Sequence, residues 1–280
     1  MYPEVTFLGV DIRSHQIIRW TYFFLAAGMT VYLNSRRGVM PAVTVGAFVV
    51  GIPAALIGGH LLNVFEAWPF YREHPSQILD VVSGGSSIYG AIAFGVGAGV
   101  FYLRGARVAV RPFLDAAAPA LALGEAASRI GCFLNGCCFG RPTLGPLGIV
   151  FPRESQVFAA QVAAGLIGPR SASPLPVHAT QIYSAVLAFG LFLVLLWLFF
   201  RRRLFPGALF CLFVGGYAMI RLVVGHWRAD AALYWWEVTT PISVLMLAVA
   251  TGLWMHWRPR ESLVLTGVQD ESHGPALRGR

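Results

Sequence analysis

Apolar residues gather in seven long stretches, near 16–34, 43–66, 86–103, 113–134, 179–200, 206–227 and 237–257, with arginine, glycine and proline concentrated in the connections between them. A hydrocarbon core about 30 Å thick is crossed by roughly 20 apolar helical residues. The pattern therefore predicts an all-α integral membrane protein with seven transmembrane helices. The connections after the first, third and fifth stretches carry Arg36 and Arg37, then Arg104, Arg107 and Arg111, then Arg201, Arg202 and Arg203, while the short alternate ones hold only Arg72 and Arg228. Basic residues mark the cytoplasmic side, so the N-terminus is expected outside and the C-terminus in the cytoplasm. Small residues crowd the apolar stretches, at Gly58 and Gly59, Gly90 and Ala91, and Gly215 and Gly216; such positions let helix backbones approach closely in lipid.

Composition strengthens the membrane reading. The chain of 280 residues is 56% hydrophobic and 12% charged, with a mean hydropathy of +0.64, whereas a soluble domain carries about 25% charged residues. The net charge of +8 comes entirely from arginine, since no lysine occurs. Nucleic-acid binding is not expected, because the basic residues fall between apolar spans, where they act as topology signals. Residues 1–257 read as one transmembrane domain with a periplasmic insertion at about 135–178, and 258–280 as a polar, disordered cytoplasmic tail. Within the insertion a short helix is expected to begin near Ser155 and lie along the membrane surface. The N-terminus shows no basic region leading into a short apolar segment, so no removable signal peptide is expected.

The chemistry sits in the polar residues that a bilayer excludes. Arg129 and Arg221 each lie several residues inside an apolar segment, whereas Arg19 and Arg228 lie near span ends, where they can snorkel. An intramembrane arginine is a functional candidate by default. Glu125 precedes Arg129 by four residues, which puts the two on one helical face as an ion pair. Arg221 has no carboxylate within a turn; Glu125, Asp115, a carbonyl ladder or a ligand must meet it. Two converging guanidiniums suit a phosphate, and a phospholipid is the natural source. Tyr217 shares a face with Arg221, and His178, Gln181 and Tyr183 form a polar patch in H-A-T-Q-I-Y. Cys132, Cys137 and Cys138 lack the C-x2-C pairs of structural zinc and a nearby histidine, so no metal is expected; adjacent Cys137 and Cys138 would form a disulfide only with strain.

With these residues collected, the chain resembles the prolipoprotein diacylglyceryl transferase family over nearly its full length. The motif R-I-G-C-F-L-N-G-C-C-F-G-R (Arg129 to Arg141) is similar to the family's G-R-x-G-N-F-x-N-x-E-x-x-G-R. H-A-T-Q-I-Y (His178 to Tyr183) is similar to H-P-[ST]-Q-L-Y-E, and G-Y-A-M-I-R-L-V-V-G-H-W-R (Gly216 to Arg228) to G-Y-x-x-x-R-x-x-x-E-x-x-R. The resemblance implies a bacterial inner-membrane enzyme that moves the diacylglyceryl group of phosphatidylglycerol to a lipobox cysteine thiol, presented by the signal peptide of a prolipoprotein, and leaves glycerol phosphate. No cofactor is implied. By position, Arg129, Arg221, Tyr89 and Tyr217 would be catalytic, and Glu125, Asn135, Gly140, Arg141, His178, Gln181, Tyr183 and Arg228 would bind substrate. The sequence departs from the family where acids and bases are needed. Tyr89 stands in place of the histidine of the glycine motif, Cys132 replaces an asparagine, and Cys137, Ser184 and Gly225 replace glutamates. The departures leave open a second expectation, a phospholipid-binding paralogue with no catalysis or a different acceptor.

Overall fold

The computed structural model describes residues 4–7, 10–81, 85–201, 204–229 and 240–259, and the side chains from Trp20 onward except those of Ile88 and Tyr89. Seven helices of 18 residues or more fall where the hydropathy pattern places them: α1 (Ser14–Ser35), α2 (Pro41–Glu66), α4 (Ile88–Gly105), α5 (Val110–Asn135), α7 (Thr180–Arg201), α8 (Ala208–Gly225) and α9 (Thr240–Trp257). Two shorter helices, α3 (Trp68–Glu73) and α6 (Gln156–Ala163), lie in the connections. Helix α6 starts where expected, because the Ser155 hydroxyl accepts the Phe158 amide and caps it. The helical plan is supplemented by two small antiparallel pairs, β1 (Glu4–Phe7) with β2 (Val10–Arg13), and β3 (Gly148–Ile149) with β4 (Val177–His178). The expected tail falls, from Arg260 onward, outside the described residues, as do the side chains of Arg19 and Tyr89.

Helices α2, α7, α8 and α9 are long and apolar enough to cross a membrane by length and composition alone. Helix α5 is just as long as α2, but it carries Arg111, Asp115, Glu125 and Arg129. Asp115, Glu125 and Arg129 are used inside the bundle. Helix α5 is its centre, packing against α1, α7 and α8, while α2 and α4 form a pair to one side. Its run Ala116, Ala118, Ala120 and Ala122 is wholly buried, and Leu33, Phe192, Leu195, Phe199 and Leu209 close around it. Lipid supplies no hydrophobic drive between helices, so close approach of small residues holds them together. The α2–α4 seam uses the same device: a Cβ at Gly90 would run into the Gly58 carbonyl. Large apolar side chains face outward instead; Phe65 is 79% and Phe101 81% exposed, which suits a lipid surround.

One long-range tie fixes α8 on α5. Asp115 is buried, and its carboxylate accepts the amides of Gly207 at 2.7 Å and Phe210 at 3.1 Å. These are orphan donors of the first turn of α8, and a carboxylate at a helix N-terminus is also favoured by the helix dipole. Asp115 is therefore committed here, and it is not the carboxylate that answers Arg221.

Candidate functional site

The polar centre begins on the last turns of α5. Arg129 Nε donates to Glu125 Oε1 at 2.7 Å, with both side chains largely buried. That contact uses one of the five guanidinium donors and leaves the terminal nitrogens to face other groups. Across from α5, Tyr217 of α8 lies within hydrogen-bonding reach of Arg129 and feels the charges of both Arg129 and Arg221. The two arginines, 92 residues apart in sequence, thus both act on one phenol through their charge. Among the described residues no carboxylate lies within ion-pair distance of Arg221. Arg129 is paired to a single carboxylate, so the group as a whole keeps an excess of positive charge.

Helix α5 ends at Gly136, whose φ of +70° is the left-handed cap that glycine adopts without strain. The amides of Gly136 and Cys137 turn back onto the carbonyls of Phe133 and Cys132. This reversal brings Cys137 and Cys138 onto Cys132, and the three sulfurs lie within 4.8 Å of one another. The C-x4-C-C spacing, which lacks the C-x2-C pairs of structural zinc, does not reveal this proximity, because the turn creates it. Cys138 itself has a φ of +59°, an uncommon conformation for a residue with a Cβ. Its thiol is pulled well below the usual thiol range, first by hydrogen bonds from Cys132 and Cys137 and then, against burial, by the charges of Arg228 and Arg129. None of the four cysteines is in a disulfide.

Beyond the thiols, three separate motifs lock together through their backbones. The Gly140 amide donates to the His178 carbonyl at 2.9 Å, and the His178 amide to the Arg141 carbonyl at 3.1 Å. On the other edge the Arg141 amide donates to Trp227 at 2.8 Å and the Ala229 amide to Phe139 at 3.2 Å. Residues 139–141 are therefore a short central strand between the segment before α7 and the segment after α8. Gly140 is required there by space: an added Cβ would sit 2.6 Å from the Trp227 carbonyl and 2.7 Å from that of His178.

Several expected ligand groups hold this assembly. Gln181, 1% exposed, donates through Nε2 to the Cys137 carbonyl at 2.8 Å, and Thr180 Oγ1 donates to that of Cys138 at 2.8 Å. Arg141 donates through a terminal nitrogen to the His226 carbonyl at 2.7 Å. The His178 ring meets the Tyr183 hydroxyl at 3.2 Å, and both residues line an apolar groove of about 470 Å³ with Trp227, Val186, Leu187 and Val223. Asn135 is half-buried at the end of α5. Arg228 is bridged to Gly140 through its backbone and lies near Cys138. A second apolar groove of about 350 Å³ runs between α1, α2, α4 and α5, lined by Gly51, Ala55, Gly95, Ala117 and Leu121 among others.

Sequence reasoning passed over the support of the glycine motif. His60, buried in α2, faces the Gly85 carbonyl at 3.1 Å and that of Ile78 at 2.9 Å, and Ser87 donates to Glu66 at 3.1 Å. His60 was legible only as an isolated polar residue in an apolar run, and Glu66 as a helix end.

Long apolar helices with charged residues gathered between two of them near one end of the bundle define a multi-pass membrane protein with a polar interior cluster. The chain belongs to the prolipoprotein diacylglyceryl transferase family, whose profile it matches over residues 3–257. It is 32% identical over 261 residues to a phosphatidylglycerol–prolipoprotein diacylglyceryl transferase of Corynebacterium diphtheriae, covering 91% of this chain and 92% of that one. A transferase of the same name from Clostridium tetani is 34% identical over 182 residues, 65% of this chain and 67% of that one. That of Trichormus variabilis is 28% identical over 272 residues, covering 92% and 91%.

Proposed function

We propose that this protein transfers the diacylglyceryl group of phosphatidylglycerol to the lipobox cysteine thiol of prolipoproteins in the bacterial inner membrane, through seven spans with the N-terminus outside. The observation that supports the reading is that the charges of Arg129 and Arg221 both bear on Tyr217. The phosphate of the donor lipid sits between the two guanidiniums, which stabilise it further as it departs as glycerol phosphate. Cations aimed in advance at developing charge act most strongly where water is excluded. Glu125 fixes the plane of the Arg129 fork, Tyr217 spaces the two cations, and the groove beside His178 and Tyr183 takes acyl chain. Gly140, Arg141, Gln181 and Arg228 serve the site by holding the loop beside it, and Asn135 stands at the end of α5 where that loop begins.

Purified protein incubated with phosphatidylglycerol and a lipobox peptide is expected to add one diacylglyceryl mass to the peptide. Arg129→Ala and Arg221→Ala are each expected to lower kcat/KM by about 10²–10³-fold; normal turnover by either variant removes the assigned roles.

A second reading is favoured by Tyr89, which stands where the resemblance expects a histidine. A phenol with an ordinary pKa near 10 is a weak base at neutral pH. A paralogue that binds phospholipid without transferring it would retain lipid on purification and fail to complement a transferase-deficient strain.

A further inference from the structure

The phosphate clamp leaves one chemical group unused. Cys132, Cys137 and Cys138 place three sulfurs within 4.8 Å of one another. A d10 cation with sulfur bonds of about 2.3 Å needs ligand sulfurs roughly 3.8 Å apart, so about 1 Å of side-chain adjustment completes the set. The backbone is built to aim them. The turn at Gly136 reverses the chain, Cys138 adopts a left-handed conformation, and Gln181 and Thr180 hold the Cys137 and Cys138 carbonyls from α7. Strained backbone held by its surroundings is a mark of a functional position. A disulfide accounts for this arrangement less well: it would join two sulfurs and strand the third, and the adjacent pair closes only with strain.

We propose that Cys132, Cys137 and Cys138 form a trithiolate site for a thiophilic d10 cation, Zn2+ or Cu+, with its fourth position open to a thiolate from the acceptor. Among the described residues no histidine or carboxylate joins the three sulfurs, and three protein ligands with an open position characterise catalytic rather than structural zinc. Three thiolates leave the metal site net negative, and Arg129 and Arg228 lie close enough to Cys138 to offset that charge. The role of the fourth position rests on the proposed transfer reaction. There the acceptor thiol gives its proton to water on binding the metal, which keeps a bound thiol deprotonated at neutral pH. Its sulfur then attacks the glyceryl carbon next to the phosphate oxygen. The S–C bond forms, the C–O bond breaks, and glycerol phosphate leaves with the electron pair. Nothing is oxidised or reduced, and the base missing at position 89 is not needed.

The test uses the reduced full-length chain in detergent, titrated with Zn2+ or, without oxygen, with Cu+, each against a competing chelator, which tells the two ions apart. One ion per chain is expected. Cys137→Ser and Cys138→Ser should weaken binding by more than about 100-fold, beyond the loss seen for outer-sphere partners, while Cys211→Ser, which lies outside the cluster, should not. Co2+ in the site should show thiolate charge transfer that grows by about one third as a lipobox peptide takes the coordination from three sulfurs to four; a Cys→Ser peptide should add nothing. Absence of a bound ion, indifference to the two serine variants, or a mass two hydrogen atoms lower in the metal-free chain from a disulfide overturns the site. Metal binding with no response to the peptide overturns the thiol-activating role and leaves the phosphate clamp, tested by the Arg129 and Arg221 variants, untouched.

Discussion

At the scale of the residue, geometry separates groups that act through charge from groups that act through space. Arg129 meets Glu125 through Nε at 2.7 Å, an orientation that a lysine ammonium, a compact point charge, cannot reproduce. Arg129→Lys is therefore expected to keep the charge and still lose about tenfold or more in kcat/KM, read with the lipobox peptide assay. Gly140 acts through space alone. A methyl group there would lie within 2.7 Å of three atoms, two of them carbonyl oxygens of the segments paired on either side of it. Gly140→Ala should cost about 1–3 kcal/mol or more of stability, seen as a lower melting temperature in detergent. Gly97, whose added Cβ meets nothing within 4 Å, is the control: Gly97→Ala should leave stability unchanged or raise it by up to about 1 kcal/mol through helix propensity.

At the scale of the element, the helices were legible because hydropathy reports them directly, and the ties between them were not. The expected stretch 113–134 and the observed Val110–Asn135 differ by a few residues, while the α3 turn at Trp68–Glu73 left no periodic signal. The Arg129–Glu125 pair was readable because it lies within one helix. Asp115 was not, since its partners start another helix 92 and 95 residues away. The thiol cluster was hidden for a related reason: linear spacing describes an extended chain, and a left-handed cap reverses it. Asp115 also carries a consequence for the site, because it anchors the helix that presents Tyr217 and Arg221. Asp115→Ala would strip a charged acceptor from two amides at the start of α8, at a cost of about 1–3 kcal/mol. The expected result is a lower melting temperature together with reduced turnover. Asp115→Asn, which keeps one oxygen for the amides, should fall between that variant and the parent.

At the scale of the whole molecule, the ends of the helices sort onto two faces, and the arginines outside the site mark one of them. Arg37 lies over the Phe199 ring at 4.4 Å and donates to its carbonyl, Asp115 holds Gly207, and Arg111 lies over Trp257 at 5.1 Å. The basic connections after α1, α4 and α7 thus meet where α5 and α8 begin and α9 ends. The opposite ends of α5 and α8 and the start of α7 converge on Gly140, His178 and Arg228. Basic segments are retained in the cytoplasm, so in the orientation proposed above the site opens toward the other side, where an exported acceptor would arrive. This orientation makes a prediction independent of catalysis. In a background with the four native cysteines replaced by serine, a cysteine at Ala172, in the exposed loop before β4, should react with a membrane-impermeant maleimide on intact cells with the outer membrane opened. A cysteine at Met40, 66% exposed in the turn after α1, should react only after the inner membrane is permeabilised. The reverse labelling would put the arginine-marked face outside, and the converged loops would then lie on the wrong side to receive an exported thiol.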